Sequence, residues 1–345
     1  MTNSTNRPIR INEVDSQQSP KEFFNCDLFG HLPYFKDDMA SMEHPVFSLT
    51  TQPDKRILHY EHNGNTLRII PSILGLPTIH DKDILIYCAS HLCAAMHQGK
   101  APSRTVQFSA RGFFTAIGRD DGGDSYERFK DSLDRLRGTS IRTSIKTGRY
   151  RIQEGFGLID AWRAVEEDAN KRATAVEIKL SEWLYNAILS NELLTISPDY
   201  FQLRKPMERR IYEIARKHCG DQRGFKIGLE TLQLKIGTQA PLKKLRAQVR
   251  EIVAANQLPD YEIALSDDDQ VAFTNRAKKH LATVQQTGFI LLKPETYEEV
   301  KVAAPGWDVH ALEQQWREWI SKKKELPKRP DSAFVAFCRK KGPCP

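Results

Sequence analysis

The spacing of apolar and polar positions gives one order of elements twice along the chain. The first copy has a helix, a short strand, two helices and a two-stranded ribbon, over residues 82–98, 105–108, 109–117, 125–137 and 140–151. The second copy has the same order, over residues 205–218, 224–227, 229–236, 241–256 and 261–274. Helix, strand, helix, helix and ribbon is the order of a winged helix, so the pattern predicts two winged helices.

The part of the chain before the first copy has a different pattern. Residues 1–22 are polar, which is typical of a disordered leader. Alternating apolar residues predict strands over 44–49, 56–61 and 66–71. The Asn63-Gly64 pair predicts a hairpin between the last two strands.

Together these patterns predict the fold class α+β. We expect two tandem winged-helix domains with an N-terminal strand-rich extension and a short helical C-terminal module. The expected divisions are the leader, an extended segment joined to the first domain, the two winged helices and the C-terminal module, over residues 1–22, 23–76, 77–178, 179–288 and 289–345. A chain of 345 residues is long enough for these parts.

Several classes of function lack their sequence requirements. No apolar run suits a signal peptide or a membrane span. The six cysteines include no CxxC pair, no P-loop motif is present, and the carboxylates form no spaced metal set. His59 and His62 would point to opposite faces of a strand, so they cannot share the metal of a nicking enzyme. We expect no enzymatic activity, no cofactor or metal, no membrane contact and a cytoplasmic location.

Positive charge is concentrated in two places. The net charge is +7, from 51 Lys and Arg and 44 Asp and Glu. Residues 104–151 hold 11 basic and 6 acidic residues, and residues 204–250 hold 13 and 4, so the remaining 250 residues sum to −7. Each basic block coincides with a predicted winged helix. The distribution therefore indicates two sites for a polyanion, and double-stranded DNA is the polyanion that suits a winged helix.

The second helix of a helix-turn-helix enters the major groove, which here means residues 125–137 and 241–256. The candidate DNA-binding residues lie on the outer faces of these helices and in the first ribbon: Arg128, Lys130, Arg135, Arg137, Lys146, Arg149, Arg151, Lys243, Lys244, Ala247, Gln248 and Arg250. Arg and Lys can hydrogen-bond guanine, and Ala can contact a thymine methyl. A solvated helix face is the alternative for any one of these side chains.

The two predicted DNA-binding surfaces differ in their acidic residues. The helix over 241–256 has the cleaner reading face, because Asp131 dilutes the charge of the first helix. The first ribbon is basic and suits phosphate contact. The turn of the second ribbon, residues 267–269, is three aspartates, so we expect it to lie away from the DNA backbone.

Two further segments suggest protein partners. Residues 25–29 (NCDLF) look like the peptide by which bacterial proteins dock on the replication sliding clamp, with Leu28 and Phe29 entering an apolar pocket. The alternative is an ordinary apolar anchor on the first domain. The tail carries Trp307, Trp316 and Trp319, which indicate either helices that pack on each other or a surface for a partner protein.

Several long stretches are similar to replication initiator protein A of bacterial plasmids. They are MASMEHPVFSL (39–49), TIHDKDILIYCASHL (78–92), residues 180–220, PGWDVHALEQQWREW (305–319) and PDSAFVAFCRKK (330–341). The resemblance implies a protein that binds repeated sites of a plasmid origin through tandem winged helices, promotes origin opening and recruits host replication proteins. It also implies monomers at the origin and homodimers that repress the gene of the protein itself. The second winged helix would read bases, and the first would contact backbone or serve dimerisation.

The residues leave two binding functions open. A transcriptional repressor with two winged helices and no initiator activity would use the same DNA contacts. The leader, the Leu28-Phe29 peptide and the Trp-rich tail have no role in simple repression. They favour an initiator that also contacts a host initiator, a helicase and the sliding clamp.

Overall fold

The computed structural model describes residues 32, 34–50, 52–62, 65–147, 150–166, 173–278, 292–305, 307–323, 327 and 329–342. The chain divides into two compact units, Met1–Asn275 and Arg276–Pro345. Each unit has its own apolar core. The predicted leader, residues 1–22, lies outside the described residues.

The N-terminal extension contributes three strands and a short helix: β1 (Phe35–Asp38), α1 (Met39–Glu43), β2 (Leu58–His62) and β3 (Asn65–Ile70). Strands β2 and β3 pair antiparallel, which confirms the predicted hairpin. Its turn residues, Asn63 and Gly64, lie outside the described residues. The strand predicted over 44–49 is wrong, since Ser48 makes one isolated bridge to Thr78 in that stretch.

The first winged helix joins three helices to a three-stranded sheet. The elements up to residue 180 are α2 (Lys82–His97), β4 (Thr105–Phe108), α3 (Ala110–Ala116), α4 (Gly123–Gly138), β5 (Ser140–Thr147), β6 (Tyr150–Gly157), β7 (Ile159–Glu166) and β8 (Ala173–Leu180). The sheet of the winged helix has the order β4-β8-β7, and both strand pairs are antiparallel. Because β8 runs through residue 180, the domain boundary predicted between 178 and 179 falls inside this strand.

The second winged helix repeats this arrangement. The elements from residue 182 to 275 are α5 (Glu182–Leu189), β9 (Leu193–Ile196), α6 (Pro206–His218), β10 (Gly224–Gly228), α7 (Leu229–Ile236), α8 (Leu242–Ala255), β11 (Tyr261–Leu265) and β12 (Gln270–Asn275). The sheet order β10-β12-β11 corresponds to β4-β8-β7. The helices α3 and α7 are both followed by a glycine with positive φ, Gly118 at 63° and Gly237 at 77°, where a side chain would be strained. These features confirm the predicted tandem winged helices.

The hairpin of β5 and β6 is not the wing of the first winged helix. It pairs with β3 in a separate four-stranded sheet of order β2-β3-β5-β6. The strand that pairs with β4 is β8, so the hairpin of β7 and β8 corresponds to the wing of the first winged helix. The wing predicted over residues 140–151 is therefore wrong. Two hairpins follow α4, and local alternation cannot show which of them pairs with a strand far earlier in the chain.

Among the described residues, the second unit includes the helices α9 (Pro294–Ala303), α10 (Val309–Lys323) and α11 (Pro330–Lys341). Trp316 and Phe334 lie at its centre, where their ring centroids are 5.1 Å apart. The unit begins at Arg276, before the predicted start at residue 289. Across the described ranges, no helix has the length and apolar composition needed to cross a bilayer.

A buried lysine joins the two winged helices. Lys82, at the start of α2, is 0% exposed and contacts the carboxylates of Asp37 in β1 at 2.7 Å and Glu213 in α6 at 3.0 Å. Burial alone would lower the pKa of Lys82, but the neighbouring carboxylates raise it, so the ammonium stays charged. Since α2 belongs to the first winged helix and α6 to the second, this side chain connects the two.

Arg209 of α6 makes a second buried connection. Its guanidinium contacts the Asp83 carboxylate of α2 at 2.5 Å and donates to the Leu203 carbonyl at 2.8 Å. Arg119 contacts the other oxygen of Asp83 at 2.8 Å. Removing one partner of a buried ion pair leaves an uncompensated charge and costs about 3–5 kcal/mol. These contacts therefore resist separation of α2 from α6.

Asp37 makes the stability of this cluster depend on pH. Burial raises the pKa of Asp37 to about 8, and the charge of Lys82 offsets only part of that effect. An aspartate in an unfolded chain titrates near pH 4, at about 3.9. Between these pH values the folded chain holds a proton that the unfolded chain releases. The contribution of Asp37 to stability is therefore complete below about pH 4 and is lost as the pH rises towards 8.

We expect Asp37→Asn to remove this loss, because asparagine keeps the neutral state. Relative to wild type, the free energy of unfolding of the variant should rise by up to ~1.4 kcal/mol per pH unit between about pH 5 and pH 8. Urea unfolding at a series of pH values measures the difference, with Asp199→Asn as an exposed matched control. Parallel pH profiles for wild type and Asp37→Asn would contradict this role of Asp37.

Candidate nucleic-acid interface

Helix α8 presents a cationic face from a firmly packed base. Leu245 and Val249 are both 0% exposed, and Ile252 is also buried, so one side of the helix is fixed in the core. The opposite side is exposed and carries the predicted residues Lys243, Lys244, Ala247 and Arg250. Pro241 precedes the helix, and Asn256 ends it with a left-handed φ of 50°. The structure thus places these four residues together on solvent-facing positions of one helix.

Gln248 lies at the margin of this face. Its side chain is half-buried, and its Oε1 atom is sheltered from solvent with no hydrogen-bond partner within the described part of the chain. A buried acceptor without a partner is unfavourable, at about 1–3 kcal/mol. The four exposed residues therefore lie at the centre of the exposed face of α8, and Gln248 lies at its edge.

The acidic turn of the second wing is tied to the same helix. Arg246 of α8 donates two hydrogen bonds to the Asp269 carboxylate, at 2.7 and 2.5 Å. The hydrogen bond from Arg246 lowers the pKa of Asp269 from its usual value. Asp268 accepts a hydrogen bond from the Ser266 hydroxyl at 2.5 Å. One aspartate of the turn is thus neutralised by an arginine at the side of the exposed face.

Helix α4 offers fewer free cations than its sequence suggests. Arg128 and Arg137 are exposed. Arg135 instead binds both oxygens of Asp81, at 2.8 and 2.9 Å, so its predicted DNA contact stays a prediction that would require this ion pair to open. Lys130 lies 2.8 Å from Glu127 in a partly exposed pair. Helical periodicity predicts the direction in which a side chain points. It does not predict that a long arginine side chain reaches a buried carboxylate at the start of another helix.

The β5–β6 hairpin places two predicted phosphate-binding residues opposite each other. Lys146 pairs with Arg151 in the register of the hairpin. Arg149 lies outside the described residues. The sequence interpretation missed two other arginines of this sheet. Arg68 of β3 and Arg142 of β5 are opposite each other in the β3–β5 register, and both are exposed. Their alternation with buried apolar neighbours was a signal that could have identified them.

The predicted partner-binding residues have three different outcomes. Trp316 is 0% exposed in the core of the second unit, so its prediction as a surface contact is wrong. Trp319 is 45% exposed and packs against Phe337, with centroids 5.8 Å apart. Trp307 is half-buried, and the Lys341 ammonium lies 5.8 Å from its ring centroid. Leu28 and Phe29 lie outside the described residues.

Metal-ligating side chains are dispersed in the described ranges. No group of three or more His, Cys, Asp or Glu there is arranged to hold a metal ion. Cys88 is buried, and burial raises the pKa of its thiol, so it stays protonated and unreactive. The exposed cations of the candidate site in the described residues therefore lie on three elements, namely α8, α4 and the β2-β3-β5-β6 sheet.

Comparison with known proteins agrees with this architecture. Residues 36–263 match the family model described as Replication initiator protein A. A "Putative replication protein" of Wigglesworthia glossinidia brevipalpis is 40% identical over 260 residues, which cover 74% of this chain and 94% of that protein. A crystal structure of domains 2 and 3 of RctB has a similar fold, with a TM-score of 0.53 at 12% identity over 68% of this chain and 97% of that one. The chain belongs to the replication initiator protein A family.

Proposed function

We propose that this initiator binds repeated duplex sites at a plasmid origin, with α8 reading base edges in the major groove. The observation that carries the proposal is the exposed face of Lys243, Lys244, Ala247 and Arg250 on a helix whose other side is buried. Two lysines and an arginine can donate to guanine, while Ala247 leaves room for a thymine methyl. Helix α4 and the β5–β6 hairpin grip phosphates or serve dimerisation.

The remaining activities follow from the role of an initiator. Bound at the origin, the protein promotes duplex opening and recruits host replication proteins, namely an initiator, a helicase and the sliding clamp. A homodimer represses the gene of the initiator itself and so contributes to copy control. We propose that the protein acts by binding, without catalysis or a cofactor, in the cytoplasm.

A footprint over the DNA adjacent to the gene tests the proposal against simple repression. We expect several regularly spaced protected repeats, because an initiator assembles on an array. A plasmid carrying the gene and that DNA should replicate in a host that cannot otherwise maintain it. One short protected palindrome, together with failure to replicate, would instead support a double winged-helix repressor. Strand scission of supercoiled plasmid by the purified protein would indicate a nicking enzyme.

Substitutions should separate base reading from phosphate contact. We expect Arg250→Ala to relax base preference and to cost ~1–3 kcal/mol of binding free energy at the cognate site, because a guanine contact is lost. Lys146→Ala should weaken binding to all duplexes by a similar factor and flatten the salt dependence. Titrations of cognate and scrambled duplexes at several salt concentrations measure both effects. Unchanged binding by both variants would contradict the proposal that α8 reads bases and that the β5–β6 hairpin contacts phosphates.

The Leu28-Phe29 peptide provides a test of host contact. We expect Leu28→Ala with Phe29→Ala to abolish capture of purified sliding clamp, because both apolar side chains would enter its pocket. DNA binding by the same variant should be unchanged, which controls for folding. Equal capture of the clamp by wild type and variant would sink the docking hypothesis and leave the apolar-anchor interpretation.

A further inference from the structure

We propose that the outer face of the β2-β3-β5-β6 sheet is a separate binding site for the phosphate backbone of duplex DNA. The key residues are Arg68 and Arg142, which no winged-helix element contains. The inference rests on the proposed function and adds a sequence-independent contact to it. It replaces the wing that the sequence placed at this hairpin.

The register of the sheet places the basic side chains in one row. His59, Arg68, Arg142 and Gly155 are consecutive partners across the four strands. The first three side chains are exposed. The neighbouring positions Ile69 and Ile141 are buried, at 0% and 2% exposure, so the other face of the sheet packs on the core. The row therefore lies on the solvent side of a sheet that the core holds in place.

The charges of this row are costly to the isolated protein. Like charges directly opposite each other in a sheet are destabilising. Within the described residues, neither Arg68 nor Arg142 has a salt-bridge partner, whereas Arg163 of β7 is paired with Glu177. Two bound backbone phosphates would neutralise the two arginines and remove the repulsion. Their juxtaposition thus points to an external anion.

Gly155 leaves the row open beside Arg142. A Cβ atom built on Gly155 would meet Cγ of Arg142 at 3.9 Å and nothing closer among the described atoms. A glycine on a strand often marks a place where another backbone approaches closely. The aliphatic part of the Arg142 side chain therefore lies beside a strand position that has no side chain. This leaves space for a phosphate to reach the guanidinium.

Duplex backbone fits this face better than single-stranded DNA. Single-strand sites stack bases on aromatic side chains. The aromatic residues Tyr60 and Phe156 occupy the alternate strand positions and pack against the core. Thr139 alone separates the end of α4 from the start of β5, and Arg137 is exposed in the last turn of α4. Arg137, on a helix proposed to contact the same duplex, is thus close in sequence to strand β5 of this face.

The test is the double variant Arg68→Gln with Arg142→Gln in the full chain. The probes are the footprinted duplex, a scrambled duplex and a single strand, each titrated at a series of salt concentrations. We expect the slope of log affinity against log salt to fall by about 1.8, since two phosphate contacts contribute about 0.9 each. Affinity should fall by the same factor for both duplexes, so base preference stays unchanged. Arg68→Lys with Arg142→Lys should retain most of the slope.

Three comparisons make the outcome decisive. Lys301→Gln with Arg339→Gln, two exposed cations of the second unit, repeats the change in net charge and should leave the slope unaltered. A wild-type slope in the sheet variant, while Arg250→Ala still relaxes base preference, would overturn the sheet site and leave the proposed function intact. Weaker binding of the single strand alone would also overturn it. If the wild-type protein binds none of the DNA probes, the proposed function itself is rejected.

Discussion

The neutralisation of Lys82 determines how the two winged helices are held together. An ammonium at 0% exposure requires a carboxylate, which Glu213 of α6 in the second winged helix supplies, while the Asp37 side chain of β1 makes a second contact. Separating α2 from α6 would strand a charge at a cost of several kcal/mol. Helices α4 and α8 therefore project from one continuous core rather than from domains on a flexible linker. Their spacing is therefore a property of the fold.

Local spacing was enough to predict the second winged helix, because its strands β10, β11 and β12 pair within one short segment. Helix α8 occupies Leu242–Ala255, within one residue of the predicted bounds at each end. The first copy contains an inserted hairpin, and its true wing strands, β7 and β8, went unrecognised. Their pairing with β4 is a non-local choice, and alternation within a strand carries no information about its partner. The sequence thus predicts the hairpin after α4 as strands, but it does not predict which strands pair with β4.

The same limit applies to individual side chains of the candidate interface. The exposed face of α8 was predictable, because its residues need only point away from a buried stripe. Arg135 satisfies the same helical geometry but binds Asp81, which lies at the start of another helix. The three tryptophans of the tail allow either a partner surface or helices that pack on each other, and Trp316 is fully buried in the apolar core of the second unit. Contacts between distant segments decide such cases.

These contacts also change the meaning of the two basic blocks. The block over 204–250 carries a net charge of +9 in sequence. Arg209 and Arg210 are buried at 1% and 3% exposure, and Arg246 neutralises Asp269. In the first block, Arg142 stays exposed on the inserted sheet, where Arg68 from outside the block joins it. Internal pairing therefore reduces the available charge of both blocks, and the inserted sheet adds Arg68 to the exposed charge of the first.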